Sequence, residues 1–327
     1  MEWSISKSKM FMKCQRKWYY YTVVASPTSK DPFRREAQQL KQLQSVHAWR
    51  GSVVDRVIQK SIVPEIRRHN LPSEDAVLNY ASQLMDKQVD FGKQRKHLCA
   101  EVSKSNCEEY CAFFDLEYGN DLAETKTTAA KEEVALALKN LLKSSFLKQI
   151  AEDNLYAIAQ RELGFQLDHG ITISCTPDMV VFFRDKPPII VDWKVHVYGT
   201  TEAWLQLGIY AVALHKAKPH KDFPAEALRI ASPTEIRLVE FQLLRNFQRE
   251  YSISGEDIAD IEDYAFDSST HMKRLTNGEK YPYVEPHIFQ TAKSPQDCEK
   301  CQFRKLCWKE LPARNSCFQA NLGGFIV

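Results

Sequence analysis

Asp178, preceded by Pro177, and Asp192, two residues before Lys194, are the side chains of this 327-residue chain best spaced to do chemistry. On a strand, residues two apart share a face, so Asp192 and Lys194 stand side by side while Trp193 turns to the other side. If Met179–Phe183 and Ile189–Trp193 pair as a hairpin across 184–188, Asp178 comes level with Asp192 and two carboxylates converge. Such a pair suits Mg²⁺ or Mn²⁺, hard cations that take oxygen ligands and keep waters for a phosphate-bearing substrate. Lys194 would orient or help deprotonate a water on that ion and screen negative charge as it develops. The same triplet also describes an ordinary Asp–Lys pair at the end of a surface strand.

A second set of residues is built on sulfur. Cys298, Cys301 and Cys307 read C-x2-C-x5-C in a loop-like, partly basic stretch. The chain holds nine cysteines, and its first residues lack the apolar core of a secretory signal, so a reducing, cytoplasmic setting is expected and disulfides are disfavoured. Three neighbouring thiols then point to a metal or cluster short of one ligand. Cys317 would complete it locally as a zinc knuckle, whereas Cys14 would require the two ends of the chain to meet. Cys99, Cys107, Cys111 and Cys175 read as small buried apolar residues, with Cys107 and Cys111 on one helical face.

The elements that must position these groups follow from periodicity. Residues 1–63 hold a basic arm with the run Trp18-Tyr19-Tyr20-Tyr21 and a helical stretch from Arg34 to Val63, closed or kinked at Pro64. Residues 64–150 form a polar, all-helical insertion. Residues 151–280 carry a series of strands between Tyr156 and Lys194, with a turn at Asp168-His169-Gly170. Then come a helix over about 202–216, strands at Ala227–Ala231 and Glu235–Leu244, and a helix opened by a Ser254/Asp257 capping box. Residues 281–327 form a cysteine-bearing tail. Over residues 1–60, 12 Lys+Arg face 4 Asp+Glu, a charge suited to a polyanion or to a solvated helix face. The aromatic run beside Lys13, Arg16 and Lys17 fits either base stacking or core packing. The longest apolar runs are too short to cross a bilayer.

Together these features resemble the PD-(D/E)xK nuclease superfamily: Pro177-Asp178, thirteen residues, then Asp192-Trp193-Lys194. Gln206 and Tyr210 on the following helix resemble the Q-x-x-x-Y motif of its RecB-like branch, whose glutamine and tyrosine lie beside the site. That branch places a metal-binding histidine four residues after a glycine on an early helix. Here Gly51 is followed at that distance by Asp55, itself a competent hard ligand, and His47 is a weaker substitute. Ser6, Phe11, Cys14, Arg16 and Trp18-Tyr19-Tyr20 resemble the opening of iron–sulphur members, such as AddB-type subunits and CRISPR-associated adaptation nucleases. In those, one N-terminal cysteine joins a C-terminal C-x2-C-x5-C around a 4Fe-4S cluster.

The resemblance implies an α/β, restriction-endonuclease-like core, a mixed central sheet flanked by helices, with a helical insertion and an iron–sulphur staple through Cys14, Cys298, Cys301 and Cys307. It implies a Mg²⁺- or Mn²⁺-dependent DNase with Asp55, Asp178 and Asp192 as metal ligands and Lys194, Gln206 and Tyr210 beside them. An exonuclease on single-stranded or end-containing DNA is expected, in repair, recombination or anti-phage defence, with a helicase or defence-system protein as possible partner. The alternatives are a non-catalytic nucleic-acid-binding subunit, motivated by the aspartate at position 55, and a zinc-stapled scaffold.

Overall fold

The computed structural model describes residues 2–99, 101–167, 170–196, 203–217, 223–224 and 232–310. A short strand β1 (Glu2–Trp3) leads to helices α1 (Ile5–Lys13), α2 (Gln15–Tyr19), α3 (Pro32–Lys41), α4 (Val46–Val57) and α5 (Val63–Ile66). Helices α6 (Glu74–Lys93), α7 (Phe114–Glu117), α8 (Glu124–Lys143) and α9 (Ser145–Asp153) precede the strands. These are β2 (Tyr156–Ala159), β3 (Leu163–Leu167), β4 (Ile171–Cys175), β5 (Met179–Phe182) and β6 (Ile189–Lys194). After them come α10 (Ala203–Lys216), β7 (Arg237–Gln242), β8 (Phe247–Tyr251), α11 (Gly255–Thr276), α12 (Pro295–Glu299) and α13 (Arg304–Glu310).

Three of the helices begin where a serine oxygen meets the orphan amides of the first turn. Ser45 accepts from the amide of Ala48, Ser73 from that of Ala76 and Ser144 from that of Leu147. Ser254 and Asp257 close the expected box: the Asp257 amide donates to the Ser254 hydroxyl at 3.1 Å, and the Ser254 amide to the Asp257 carboxylate at 2.7 Å.

The chain divides into two compact units, one comprising residues up to Ser8 and Gln44–Arg274, the other Lys9–Leu43 with the residues from Leu275 onward. Among the described residues the first contains a mixed five-stranded sheet in the order β2-β5-β6-β7-β8 and a three-stranded sheet β1-β4-β3. In the larger sheet β6 and β7 run parallel and the other neighbours antiparallel. The segment carrying α10 lies between β6 and β7 in sequence, the crossover that a parallel pair needs. This is the mixed α/β architecture expected, consistent with a restriction-endonuclease-like core.

Strand alternation sorts β6 into two faces. Ile189, Val191 and Trp193 join Val181, Val239 and Phe241 in a core that also takes Val54 of α4, Met85 of α6, Leu141 of α8 and Phe146 of α9. The helices between residues 64 and 150 therefore share one core with the sheet. The opposite face carries Asp192 and Lys194.

The second unit is held by aromatic burial. The Tyr19 ring stacks on Phe289 with centroids 4.7 Å apart, Tyr20 stacks on Phe303 at 5.7 Å, and the Tyr19 hydroxyl donates to the Val284 carbonyl at 3.1 Å. Trp18, Tyr19 and Tyr20 are buried, so of the two roles open to this run, core packing is the one these three rings take.

Several expectations need correction. The stretch from Arg34 to Val63 is not one helix: α3 ends at Lys41 and α4 starts afresh from the Ser45 cap. Pro64 does not stop the chain, because the wide turn Ile58–Ile62 has already shifted the backbone pairing, with the Val63 amide reaching the Ile58 carbonyl. Pro64 then falls in the first turn of α5, where a missing amide costs nothing. Cys107 and Cys111 lie in a loop, not on a helix. Strand β8 was not expected, since its residues are nearly all exposed and show no apolar alternation. The strand expected at 227–231, most of the turn at 168–170 and Cys317 lie outside the described residues. Among the described residues no helix is long and apolar enough to cross a membrane.

Phe241 sits beneath the sheet face that carries the candidate site, against Trp193 and Phe146. Phe241→Ala is expected to lower the free energy of unfolding by about 3–5 kcal/mol, measured by urea denaturation. A loss below about 1 kcal/mol would mean that this core layer collapses around the gap.

Candidate active site

The hairpin register sets the geometry. Met179 pairs with Val191, which brings Asp178 level with Asp192 as the spacing implied. Asp192 is 1% exposed; one carboxylate oxygen accepts from the Gln206 amide at 2.9 Å, and the other meets the Lys194 ammonium. Asp178 accepts from the Trp193 backbone amide at 2.8 Å and from the Gln160 side chain at 3.1 Å. Asp55, one helical turn beyond Gly51 on α4, lies near enough that its charge acts on Asp178 and is acted on by Asp192 and Lys194. His47, on the first turn of the same helix, is exposed and takes no part.

Helical spacing aligns Gln206 and Tyr210 on α10. The Gln206 amide nitrogen, besides holding Asp192, donates to the Tyr210 hydroxyl at 2.7 Å. Burial, reinforced by Asp192 and Asp178, lifts the Tyr210 phenol above its ordinary range, so it keeps its proton. Asp192, Lys194, Gln206 and Tyr210 are thus linked by direct contacts, and Asp55 and Asp178 join them through their charges.

Two polar residues beside them were missed. Glu240 lies next to Asp192 in the parallel register and is fully buried, accepting from the Tyr251 hydroxyl at 2.7 Å and from Gln242 at 3.1 Å. Its signal was the alternation Leu238-Val239-Glu240-Phe241-Gln242, which sets two polar residues on one face of a buried strand. Gln160 follows β2 in a left-handed conformation (φ 53°), and no spacing rule marks it.

Electrostatics define what the site can do. Burial, then the Asp192 charge, pushes Asp55 up to about 7, with Lys194 partly opposing. Burial, then Asp55 and Asp192, raises Asp178 well above the carboxylate range, against the Trp193 amide and Lys194. Burial alone would lower Lys194, but Asp192, Asp178 and Glu240 together leave it raised, so it stays an ammonium. Carboxylates that resist sharing one space are the donor set a hard divalent cation relieves. In chemistry these oxygens fit Mg²⁺ or Mn²⁺. Yet among the described residues no three His, Cys, Asp or Glu side chains stand close enough, as placed, to hold a metal ion.

That statement covers the cysteines too. Cys14, Cys298, Cys301 and Cys307 all line one cavity of about 140 Å³ within the second unit, with Arg16, Lys17 and Phe303 among its walls. The Cys14 sulfur caps α2 by accepting from the Lys17 amide at 3.3 Å. Burial, only partly opposed by Arg16, pushes the Cys307 thiol up to about 12, with the other three cysteines adding to it. Cys298 and Cys301 are raised mainly by burial as well. Four cysteines lining one cavity carry the donor atom type that zinc and iron–sulphur clusters take.

A mixed sheet flanked by helices, with Asp192 and Lys194 on β6 and Glu240 on the neighbouring β7, is consistent with a restriction-endonuclease-like fold. The chain belongs to the PD-(D/E)XK nuclease superfamily, matching it over residues 2–308. No curated protein matches it significantly. Among solved structures it is similar to the crystal structure of SSO0001, at 15% sequence identity and a TM-score of 0.30, over 71% of this chain and 85% of that one.

Because the folded state holds the Asp55 proton more tightly than the unfolded chain does, its contribution to stability is complete below the ordinary value of 3.8 and is lost as pH rises through about 7. Asp178 acts in the same direction. In a chelator, Asp55→Asn is therefore expected to melt above wild type at about pH 8 and together with it near pH 4. Thermal melts at both values check this; a variant destabilised equally at each would contradict it.

Proposed function

We propose that the protein is a metal-dependent DNase acting on single-stranded or end-containing DNA. The observation that carries this reading is the buried junction of Asp55, Asp178, Asp192 and Lys194 in a chain of the nuclease superfamily. Held by Asp55, Asp178 and Asp192, Mg²⁺ or Mn²⁺ would supply Lewis-acid activation of the attacking water and of the phosphoryl group. The chain's own residues do the rest. Lys194, kept cationic by Asp192, Asp178 and Glu240, sets a fixed positive charge against the oxygens that become more negative during cleavage. Gln206 fixes the Asp192 carboxylate, and Tyr210 supports Gln206. Glu240, held by the Tyr251 hydroxyl, acts through Lys194 by adding to the negative charge that keeps it cationic.

In this reading Cys14, Cys298, Cys301 and Cys307 hold a 4Fe-4S cluster with a structural role. The cavity that all four line supports it. Clipping segments so far apart in sequence restricts the unfolded chain strongly, because loop-closure cost grows with length.

Purified protein is expected to degrade linear DNA with Mg²⁺ or Mn²⁺ while sparing closed circles. Lys194→Ala should lower the rate by about 10²–10³-fold, and Asp192→Ala at least as much. Wild type and Asp192→Ala equally inert with both metals would leave the non-catalytic DNA-binding subunit as the better account. Anaerobically purified wild type should contain iron and acid-labile sulphide, both lost in Cys14→Ser; zinc without iron would assign the four cysteines to a zinc staple instead.

A further inference from the structure

We propose that strand β8 grips the DNA strand beside the scissile bond, Arg249 binding a backbone phosphate and Phe247 stacking on a base. This rests on the nuclease reading above and assigns that site its substrate contact. The register carries it. Asp192 pairs with Glu240, which pairs with Arg249; Lys194 pairs with Gln242, which pairs with Phe247. Residues directly opposite one another across a sheet share a face. Arg249 and Phe247 therefore stand on the face that carries Asp192 and Lys194, two interstrand spacings or roughly 10 Å away.

Both side chains are left to solvent. Arg249 is exposed; the Tyr251 hydroxyl lies 3.4 Å from its guanidinium and the Phe247 ring centroid 6.0 Å away, and it makes no ion pair among the described residues. The other face of the same strands offers a comparison, for there Arg237 is neutralised by Glu250 through contacts of 2.8 and 2.9 Å. Phe247 is 48% exposed although it sits beside the buried Gln242. A planar cation lying near an aromatic ring offers a phosphate its fork of donors and a base its stacking surface. The carboxylates at the centre repel a polyanion, so a strand crossing them needs a cation nearby that is not already neutralised.

Local contacts fix the turn that leads into this strand. Asn246, left-handed at φ 50°, closes the turn between β7 and β8, and the Asn140 side chain donates to the Leu243 carbonyl at 2.8 Å.

The experiment uses the full chain and a single-stranded oligonucleotide, with steady-state cleavage in Mg²⁺ or Mn²⁺ and binding across a salt series in a chelator. Arg249→Ala is expected to raise KM about 10-fold with kcat within about twofold, and to make the log–log salt dependence of binding shallower by about 0.7. Phe247→Ala should raise KM about 10-fold without changing that slope, and Phe247→Trp should restore it. Arg68→Ala, which removes a surface arginine paired with Glu65, serves as control and should change neither. Unaltered KM and slope in Arg249→Ala, with wild type active, would overturn the inference and leave the nuclease reading intact; the β8 charges would then serve only to shield a sheet edge. If wild type cut nothing with either metal, the nuclease reading would fail, and the salt slope alone would still decide the Arg249 contact.

Discussion

Like charges confined together govern this protein. Asp55, Asp178 and Asp192 come from a helix, a loop and a strand, and burial brings each into the field of another. Left alone, such a group resists ionisation; one ammonium among the acids partly offsets that resistance. Among the described residues Lys194, raised by Asp192, Asp178 and Glu240 together, is the one cation that the electrostatics of this group name.

Holding that arrangement requires a stiff base. Trp193 and Phe241 anchor the opposite face of β6 and β7 in a core shared with α4, α6, α8 and α9. The same alternation that sets the indole in the core turns Asp192 and Lys194 to the other face, so packing and chemistry are two faces of one strand. Helix α10 then brings Gln206 onto Asp192. The second unit follows a different logic, with Trp18, Tyr19 and Tyr20 packed among Phe289 and Phe303, and four thiols around a small cavity beside them.

Much of the candidate site was legible because its signals are local. The spacing of Asp178, Asp192 and Lys194 already contained the hairpin that levels the two acids, and the four-residue step from Gln206 to Tyr210 already contained their shared helical face. The strands between Tyr156 and Lys194, the helix expected over about 202–216 and found at Ala203–Lys216, and the capping box at Ser254 were likewise read from short-range pattern. What escaped was non-local. Gln160 reaches Asp178 only because β2 pairs with β5, and Glu240 stands beside Asp192 only because a crossover makes β6 and β7 parallel. Strand β8 has no apolar face to announce it, since it lies at a sheet edge with nearly all its residues in solvent.

The sequence by itself determined the chemical inventory and the period of each element: which residues could bear charge or ligate, and which faces they would share within one strand or helix. Only the tertiary structure decided which of those faces meet. It put Asp55 rather than His47 beside the other acids, buried three rings of an aromatic run that could equally have faced a nucleic acid, and broke one long helical stretch into several. The physical reason is that periodicity is a property of neighbours along the chain, whereas burial and electrostatic coupling arise between residues the chain brings together only on folding.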